Sequence, residues 1–373
     1  MGSVAELYDQ TLGHLLGPIQ QFLQDDSVSE VMINGHDEIF VERKGLVELT
    51  DAKFPDSESL EAAMRNVAQF VGKRLVPENP SIEARLPDGS RVHIVQAPAA
   101  RKGLCVAIRK FSKNKLDLAT LVKFGALSAE ASEFLSVSVA LAKNIIVSGG
   151  TGSGKTTLLN CLSAMIGDAE RILVLEDSSE LQLQQRHVVP FEAQPADRNG
   201  RGGVTIRDLF RASLRMRPDR IVVGECRGGE ALDMIQAMTS GHSGSMSTCH
   251  ANTPRDALNR LETMALMGDV EMPLVALRAQ VASAVDLIVQ ISRFHDGSRK
   301  LTHISECLPL KEGNYRTADI FTLEFGDDGS SLKWNGTQPT FAAEPYYHGL
   351  EPMIRLSESC WRNEENDKQE GNP

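Results

Sequence analysis

The chain has 373 residues of which 41% are apolar, enough for two or three domains with sizeable cores. Its formal net charge of −11 argues against a surface that wraps a nucleic-acid duplex, because that binding rests on Lys and Arg neutralising phosphates. Its six cysteines form no C-x-x-C pair and read as free thiols in a reducing compartment, and no stretch reaches the roughly 18 apolar residues that span a bilayer.

In chain order, residues 1–24 have the apolar spacing of a helix broken near Gly17-Pro18. Val28 to Asn34 and Glu38 to Leu49 read as short strands with turns at Asn34-Gly35 and Lys44-Gly45. A helix capped by Ser57 follows, carrying Leu60, Met64, Val67, Ala68 and Val71 and ending near Gly72. Ile82 to Leu86 and Arg91 to Gln96 read as a hairpin about the turn Pro87-Asp88-Gly89-Ser90, and Leu104 to Lys110 as one more strand. Together they predict a small α+β domain over 1–111. The Lys-bearing stretch from Ser112 to Leu118 reads as a hinge, within a linker set at 112–120.

From 121 to 345 strands and helices alternate. Ser128 caps a helix through Ala142, and Asn144 to Ser148, Arg171 to Glu176, Arg220 to Gly224 and Ser245 to Thr248 read as strands. Continuously apolar runs such as Ile172-Leu173-Val174-Leu175 suit a parallel sheet covered on both faces, so this is an α/β nucleotide-binding domain. Beyond Phe325 the chain is rich in Gly, Asp, Ser, Asn and Pro; 346–373 reads as a C-terminal extension whose tail, from Asn363, reads as disordered.

The strongest motif sits between the first strand of that domain and a helix expected over Thr157 to Ile166. Gly149-Gly150-Thr151-Gly152-Ser153-Gly154-Lys155-Thr156-Thr157 fits G-x-x-x-x-G-K-[ST], the P-loop. Glycines let backbone N–H groups turn inward around phosphate oxygens, and the helix beginning there adds its positive dipole end. Lys155 would reach the β- and γ-phosphates, and Thr156 would offer its hydroxyl oxygen to Mg²⁺.

Three further clusters fall at the ends of later strands, where ligands of an open parallel sheet gather. Leu175-Glu176-Asp177-Ser178-Ser179-Glu180 supplies acids that could orient the attacking water, Glu180 first among them. Ile221-Val222-Val223-Gly224-Glu225-Cys226-Arg227 ends an apolar strand in one carboxylate; Glu225 could serve magnesium-bound water, base chemistry or both. The choice between Glu180 and Glu225 as base stays open. His250, beside Asn252 at the end of the Ser245 strand, stands where a γ-phosphate sensor would sit, and His242 lies earlier in the same cluster.

Arg207, Arg211 and Arg215 recur every four residues and would line one helix face, ended by Arg217-Pro218. Arg211 and Arg215, with Arg227 and with Arg85, Arg91 and Arg109 of the first domain, are candidates to bring positive charge to the phosphates.

These clusters in this order resemble the secretion and pilus-assembly ATPases of the type II/type IV secretion superfamily: P-loop, Asp box from Glu176 to Glu180, degenerate Walker B and His box. The chain is most similar there to the CpaF-type ATPase of tight-adherence (Flp) pili, through Ser29-Glu30-Val31-Met32-Ile33-Asn34-Gly35, Arg85-Leu86-Pro87-Asp88-Gly89-Ser90-Arg91-Val92, Leu214-Arg215-Met216-Arg217-Pro218-Asp219-Arg220, and Gly241-His242 through His250-Ala251-Asn252. Ser240, Cys226 and Cys249 depart from the pattern without removing a phosphate-contacting group. The resemblance implies a RecA-like P-loop domain behind a smaller α+β domain, ATP and Mg²⁺ as ligands, and a homo-hexameric ring at the cytoplasmic face of the bacterial inner membrane. It also implies docking on a platform protein and peripheral membrane association through that partner, and the acidic charge balance speaks against a nucleic-acid ligand. Two other functions fit a P-loop chain: a RecA-like nucleic-acid translocase and a regulator that binds nucleotide without hydrolysing it.

Overall fold

The computed structural model describes residues 13–111, 116–196, 200–268, 270, 272–326 and 329–361. The first half of the helix expected over 1–24, the Ser112 to Lys115 part of the hinge and the tail from Asn363 lie outside the described residues. Contacts divide the chain into two compact units, Met1–Lys115 with His295–Ser298, and Leu116–Phe294 with Arg299–Pro373.

The first unit carries α1 (Gly17–Gln24), β1 (Val28–Asn34), β2 (Ile39–Arg43), β3 (Leu46–Leu49), α2 (Ser57–Phe70), β4 (Ser81–Arg85), β5 (Arg91–Val95) and β6 (Cys105–Arg109). Its six-stranded antiparallel sheet has the order β3-β2-β1-β6-β5-β4. Helix α2 buries Leu60, Ala63, Met64 and Val67, the spacing that puts four side chains on one face, in a core shared with Val31, Ile33, Val92 and Ile108. The residue that caps α2 is Asp56, not Ser57. Asp56 is still extended, with φ −159°, and its carboxylate accepts the Ser59 N–H, while Ser57 is already the first helical residue.

The second unit follows with α3 (Leu118–Lys123), α4 (Ala129–Ala140), β7 (Ile145–Gly149), α5 (Lys155–Ser163), β8 (Ile172–Glu176), β9 (Val188–Glu192), α6 (Ile206–Ser213), β10 (Arg220–Val223), α7 (Glu230–Thr239), β11 (Met246–Cys249), α8 (Pro254–Ala265), α9 (Leu274–Ala284), β12 (Leu287–Arg293), β13 (Arg299–Lys311), β14 (Asn314–Gly326), β15 (Gly329–Trp334) and α10 (Glu344–Tyr347). Its nine-stranded sheet has the order β15-β14-β13-β12-β7-β11-β10-β8-β9. From β12 to β9 the pairs are parallel; β13, β14 and β15 extend the sheet antiparallel.

Alternation along each central strand sorts apolar side chains to two cores. Ile145, Val147, Val174 and Val222 pack with Phe134, Leu135, Leu158 and Leu162, whereas Ile146, Leu175, Ile221 and Val223 pack with Phe210, Ile235, Leu258 and Val281. Each such side chain, removed from water, contributes about 1.5–3 kcal/mol to holding the layers together. Helix α3, capped by the Asp117 carboxylate, begins inside the span read as linker. Helix α5 starts at Lys155, two residues before the expected Thr157, since Gly154 is the last residue outside helical geometry.

Candidate active site

Strand β7 lies between β11 and β12 and ends at Gly149. A Cβ built on Gly149 would sit 2.3 Å from the Ile291 carbonyl oxygen and 2.6 Å from Ser153 Oγ, so only glycine fits there. Gly152 and Gly154 hold φ of +68° and +96°, the left-handed region in which glycine is at ease. The Gly150 carbonyl draws the loop together, accepting from Ser153 Oγ at 2.9 Å and from Lys155 Nζ at 2.9 Å. Among the described residues no side chain caps α5. Its first N–H groups and its dipole therefore face the loop, the arrangement that binds anions.

Lys155 is 7% exposed and its ammonium also approaches His250 Nδ1 at 3.4 Å. On the far side of the ring, His250 Nε2 meets Glu225 Oε1 at 2.8 Å; Glu225 Oε2 in turn accepts from Arg227 Nη2 at 2.6 Å and Nε at 2.9 Å. Arg227 Nη1 stands 3.7 Å from Asp177 Oδ2. Burial, and then the positive charge of Lys155, hold the His250 pKa below its ordinary value, which keeps the ring neutral at pH 7. A neutral ring between an ammonium and a carboxylate has one consistent tautomer: Lys155 donates to Nδ1, and Nε2–H donates to Glu225. The strand ends that aim these groups are tied together, since Thr248 Oγ1 donates to the Gly224 carbonyl and the Cys226 N–H to the Thr248 carbonyl.

Glu176 closes β8 and is buried, at 3% exposed. Its Oε1 accepts the N–H groups of Glu180 at 2.9 Å and Leu181 at 3.0 Å, while Asn160 Oδ1 on α5 accepts the Gln182 N–H at 2.8 Å. The loop bearing Glu180 is thus fastened to the P-loop helix at one end and to β8 at the other. Burial pushes the Glu176 carboxyl up to about 7, against the pull of those two N–H groups. Among the described residues no group of three or more His, Cys, Asp and Glu comes together as a metal site. The Thr156 hydroxyl of the loop and the carboxylates of Glu225 and Glu176, which follow or close later strands of the sheet, are hard oxygens of the kind Mg²⁺ takes along with phosphate and water.

Two expectations need correction. His242 does not join the nucleotide cradle of its own chain: it precedes β11, whereas His250 follows it, and β11 runs parallel to β7 with Met246 beside Ile145 and Cys249 beside Ser148. The two histidines therefore stand at opposite ends of β11, His242 at the end away from the P-loop. Nor do Arg207, Arg211 and Arg215 form one helical stripe. Helix α6 ends at Ser213, ahead of Arg217 in left-handed geometry (φ 53°) before Pro218, so Arg215 lies beyond it. Arg207 Nε and Arg211 Nε bind Asp233 at 2.8 and 3.1 Å.

In the first unit, cross-strand register sets Arg85 opposite Arg91 and Arg91 opposite Arg109, one row of three guanidinium side chains across β4, β5 and β6. Arg91 pairs with Glu83 at 2.6 Å. Sequence reading passed over other residues at the loop. Arg299 Nε donates to the Gly152 carbonyl at 2.9 Å, and a Cβ on Gly152 would lie 3.2 Å from Arg293 Nη1. Gln290 Nε2 donates to the Ala251 carbonyl at 3.1 Å and so positions the segment carrying His250. Their only sequence signal is the Asp296-Gly297 turn that brings Arg293 and Arg299 to adjacent strand ends; that those ends lie beside the P-loop depends on sheet order.

Residues 14–312 match the family described as Type II/IV secretion system protein. The chain is 35% identical over 304 residues to the type IV secretion system protein PtlH of Bordetella pertussis, covering 74% of this chain and 89% of PtlH. It is 33% identical over 319 residues to the type IV secretion system protein VirB11 of Brucella suis, covering 78% of this chain and 88% of VirB11. The X-ray structure of the Yersinia pseudotuberculosis ATPase DotB is similar in fold, with a TM-score of 0.54 at 18% identity over 84% of this chain and 81% of DotB. The fold is a RecA-like P-loop domain preceded by a smaller α+β domain. With its P-loop and its match over most of its length, the chain is an ATP hydrolase and belongs to the type II/IV secretion system protein family.

Proposed function

We propose that the chain is the motor of a secretion or pilus-assembly machine, a homo-hexameric ring that docks on an inner-membrane platform protein and drives assembly of a tight-adherence pilus. The observation that carries this reading is the line of contacts from Lys155 through His250 and Glu225 to Arg227 beside the glycine loop. It is a phosphate cradle joined to a polar network that can report whether a γ-phosphate is present.

In this mechanism the N–H groups at the start of α5 hold the β-phosphate, and Lys155 exchanges the Gly150 carbonyl for phosphate oxygens. Thr156, with the carboxylates of Glu225 and Glu176 reaching through water, would hold Mg²⁺, which neutralises phosphate charge when bound. Both oxygens of Glu225 are already engaged, one by His250 and one by Arg227. We give Glu225 an orienting role, and Glu180, on the loop fastened to β8 and to α5, the role of base. Glu180 takes the proton of the attacking water as the new P–O bond forms and the bond to the β–γ bridging oxygen breaks. Arg85, Arg91, Arg109, Arg211 and Arg215 of a neighbouring subunit are our candidates to supply positive charge to the transition state, an effect worth roughly 10³- to 10⁵-fold in other phosphoryl-transfer enzymes.

In this reading the protein works at the cytoplasmic face of the membrane through its partner. No helix among the described residues is long and apolar enough to cross a bilayer.

The test is phosphate release from MgATP by the assembled protein, together with piliation of cells carrying the wild-type chain or Lys155→Ala. Wild-type release, no release by Lys155→Ala and loss of surface pili with the variant are expected; normal piliation by Lys155→Ala would overturn the motor role.

A further inference from the structure

Strand order divides the surroundings of the P-loop into two flanks. On one side of β7 lies β11, followed by His250, with Glu225 just beyond the end of the next strand, β10. On the other side lies β12, whose Ile291 is in register with Gly149 and whose last residue, Arg293, runs on past the loop. β13 returns beside β12 with Arg299 paired to Arg293.

Both arginines are half-buried and converge on the tip of the loop. Arg299 Nε donates to the Gly152 carbonyl at 2.9 Å, and its Cδ lies 3.2 Å from where a Gly154 Cβ would be; Arg293 Nη1 lies 3.2 Å from where a Gly152 Cβ would be. Guanidinium groups match phosphate oxygens in charge and in hydrogen-bond geometry.

The direction of a bound nucleotide says which anion. A P-loop wraps the β-phosphate, and Lys155 together with His250 marks the flank on which the γ-phosphate lies. The α-phosphate must then leave the loop on the opposite flank, the one formed by β12 and β13. We propose that Arg293 and Arg299 are nucleotide-binding residues that grip the α-phosphate of the bound nucleoside triphosphate, a subsite separate from the Lys155 cradle. The proposal rests on the ATPase reading above and adds to it. Arg299 also orients the loop: a trans peptide points C=O and the next N–H in opposite directions, so holding the Gly152 carbonyl outward turns the Ser153 N–H inward. That N–H is held weakly, 3.4 Å from the Gly150 carbonyl, and can pass to a phosphate oxygen.

The experiment measures binding of MgADP, and steady-state turnover of MgATP and of ATP bearing sulfur in place of a non-bridging α-oxygen, in the assembled wild type, Arg293→Met, Arg299→Met and Arg299→Lys. Each Met variant is expected to bind MgADP roughly tenfold more weakly and to raise KM more than it lowers kcat, the loss of one charge-assisted hydrogen bond. The wild type should discriminate against the α-thio substrate, the Met variants should lose that discrimination, and Lys should restore part of the affinity. Arg293→Met guards against a misfolded loop, since the Gly152 contact belongs to Arg299. Wild-type MgADP affinity in both Met variants, or an α-thio effect unchanged in both, would overturn the subsite while leaving the ATPase reading in place. Failure of the wild type itself to bind MgADP would overturn the reading beneath it.

Discussion

At the scale of single residues, the account turns on what each carboxylate touches. Glu225 accepts from His250 Nε2–H, and its negative charge props up a His250 pKa that burial and Lys155 lower. Glu225→Gln removes that support, so the acid limb of the turnover profile should move to lower pH while some turnover survives. Glu180→Gln should instead abolish turnover at every pH with MgATP still bound. Equal loss in both variants with no shift of the acid limb would contradict the division of roles. Glu176 carries a second pH signature. Its folded pKa of about 7 lies above the ordinary carboxyl value of 4.5, so its contribution to stability is full below pH 4.5 and is lost as pH rises through 7. Glu176→Gln keeps an oxygen for the two N–H groups and removes the buried charge. Relative to wild type it should gain up to about 3 kcal/mol at pH 8 and little at pH 4, read from denaturant unfolding at both values. That Lys155, His250 and Glu225 come together was legible in the sequence because each follows a strand of the parallel sheet, whose C-terminal ends gather on one side. His242 was misplaced because motif adjacency hides the strand between it and His250. Arg293 and Arg299 left no motif at all.

Elements held by a few polar contacts test the packing. Oε1 of Glu133, on α4, accepts the N–H groups of Arg355, Leu356 and Ser357 and the Ser357 hydroxyl, and thereby clamps the C-terminal segment in which Trp361 stacks on Phe134 at 4.8 Å. These hydrogen bonds hold the Glu133 pKa down against burial, so their stabilisation is present above the ordinary carboxyl range and fades as pH falls through it. Glu133→Ala should cost roughly 1–3 kcal/mol at pH 7, less in acid, and should speed hydrogen exchange in residues 351–361. Unchanged exchange there would show that the aromatic stack alone holds the segment. The same region shows where sequence reading stops. Strands β8 and β10 announce themselves as unbroken apolar runs, whereas β15 buries Leu332 alone and sits in a stretch whose Gly, Asp and Ser read as loop. Strand β9 contains Pro190, which a central strand would not tolerate; it is paired on one side only, at the edge of the sheet.

For the whole molecule, the proposed ring makes catalysis a property of neighbours. If arginines of one subunit complete the site of the next, Lys155→Ala subunits mixed into wild-type rings should depress turnover more steeply than their fraction, and a linear fall would argue for independent sites. Mass measurement should find six chains in the assembled state with MgATP, and a monomer under all conditions would remove the ring. The most direct test is calorimetric titration of MgATP into the assembled protein, wild type beside Lys155→Ala. Saturable uptake by the wild type and uptake weakened about 100-fold or more in the variant are expected; a wild-type protein that takes up no MgATP, or a variant that binds it equally well, would contradict a triphosphate held at Lys155.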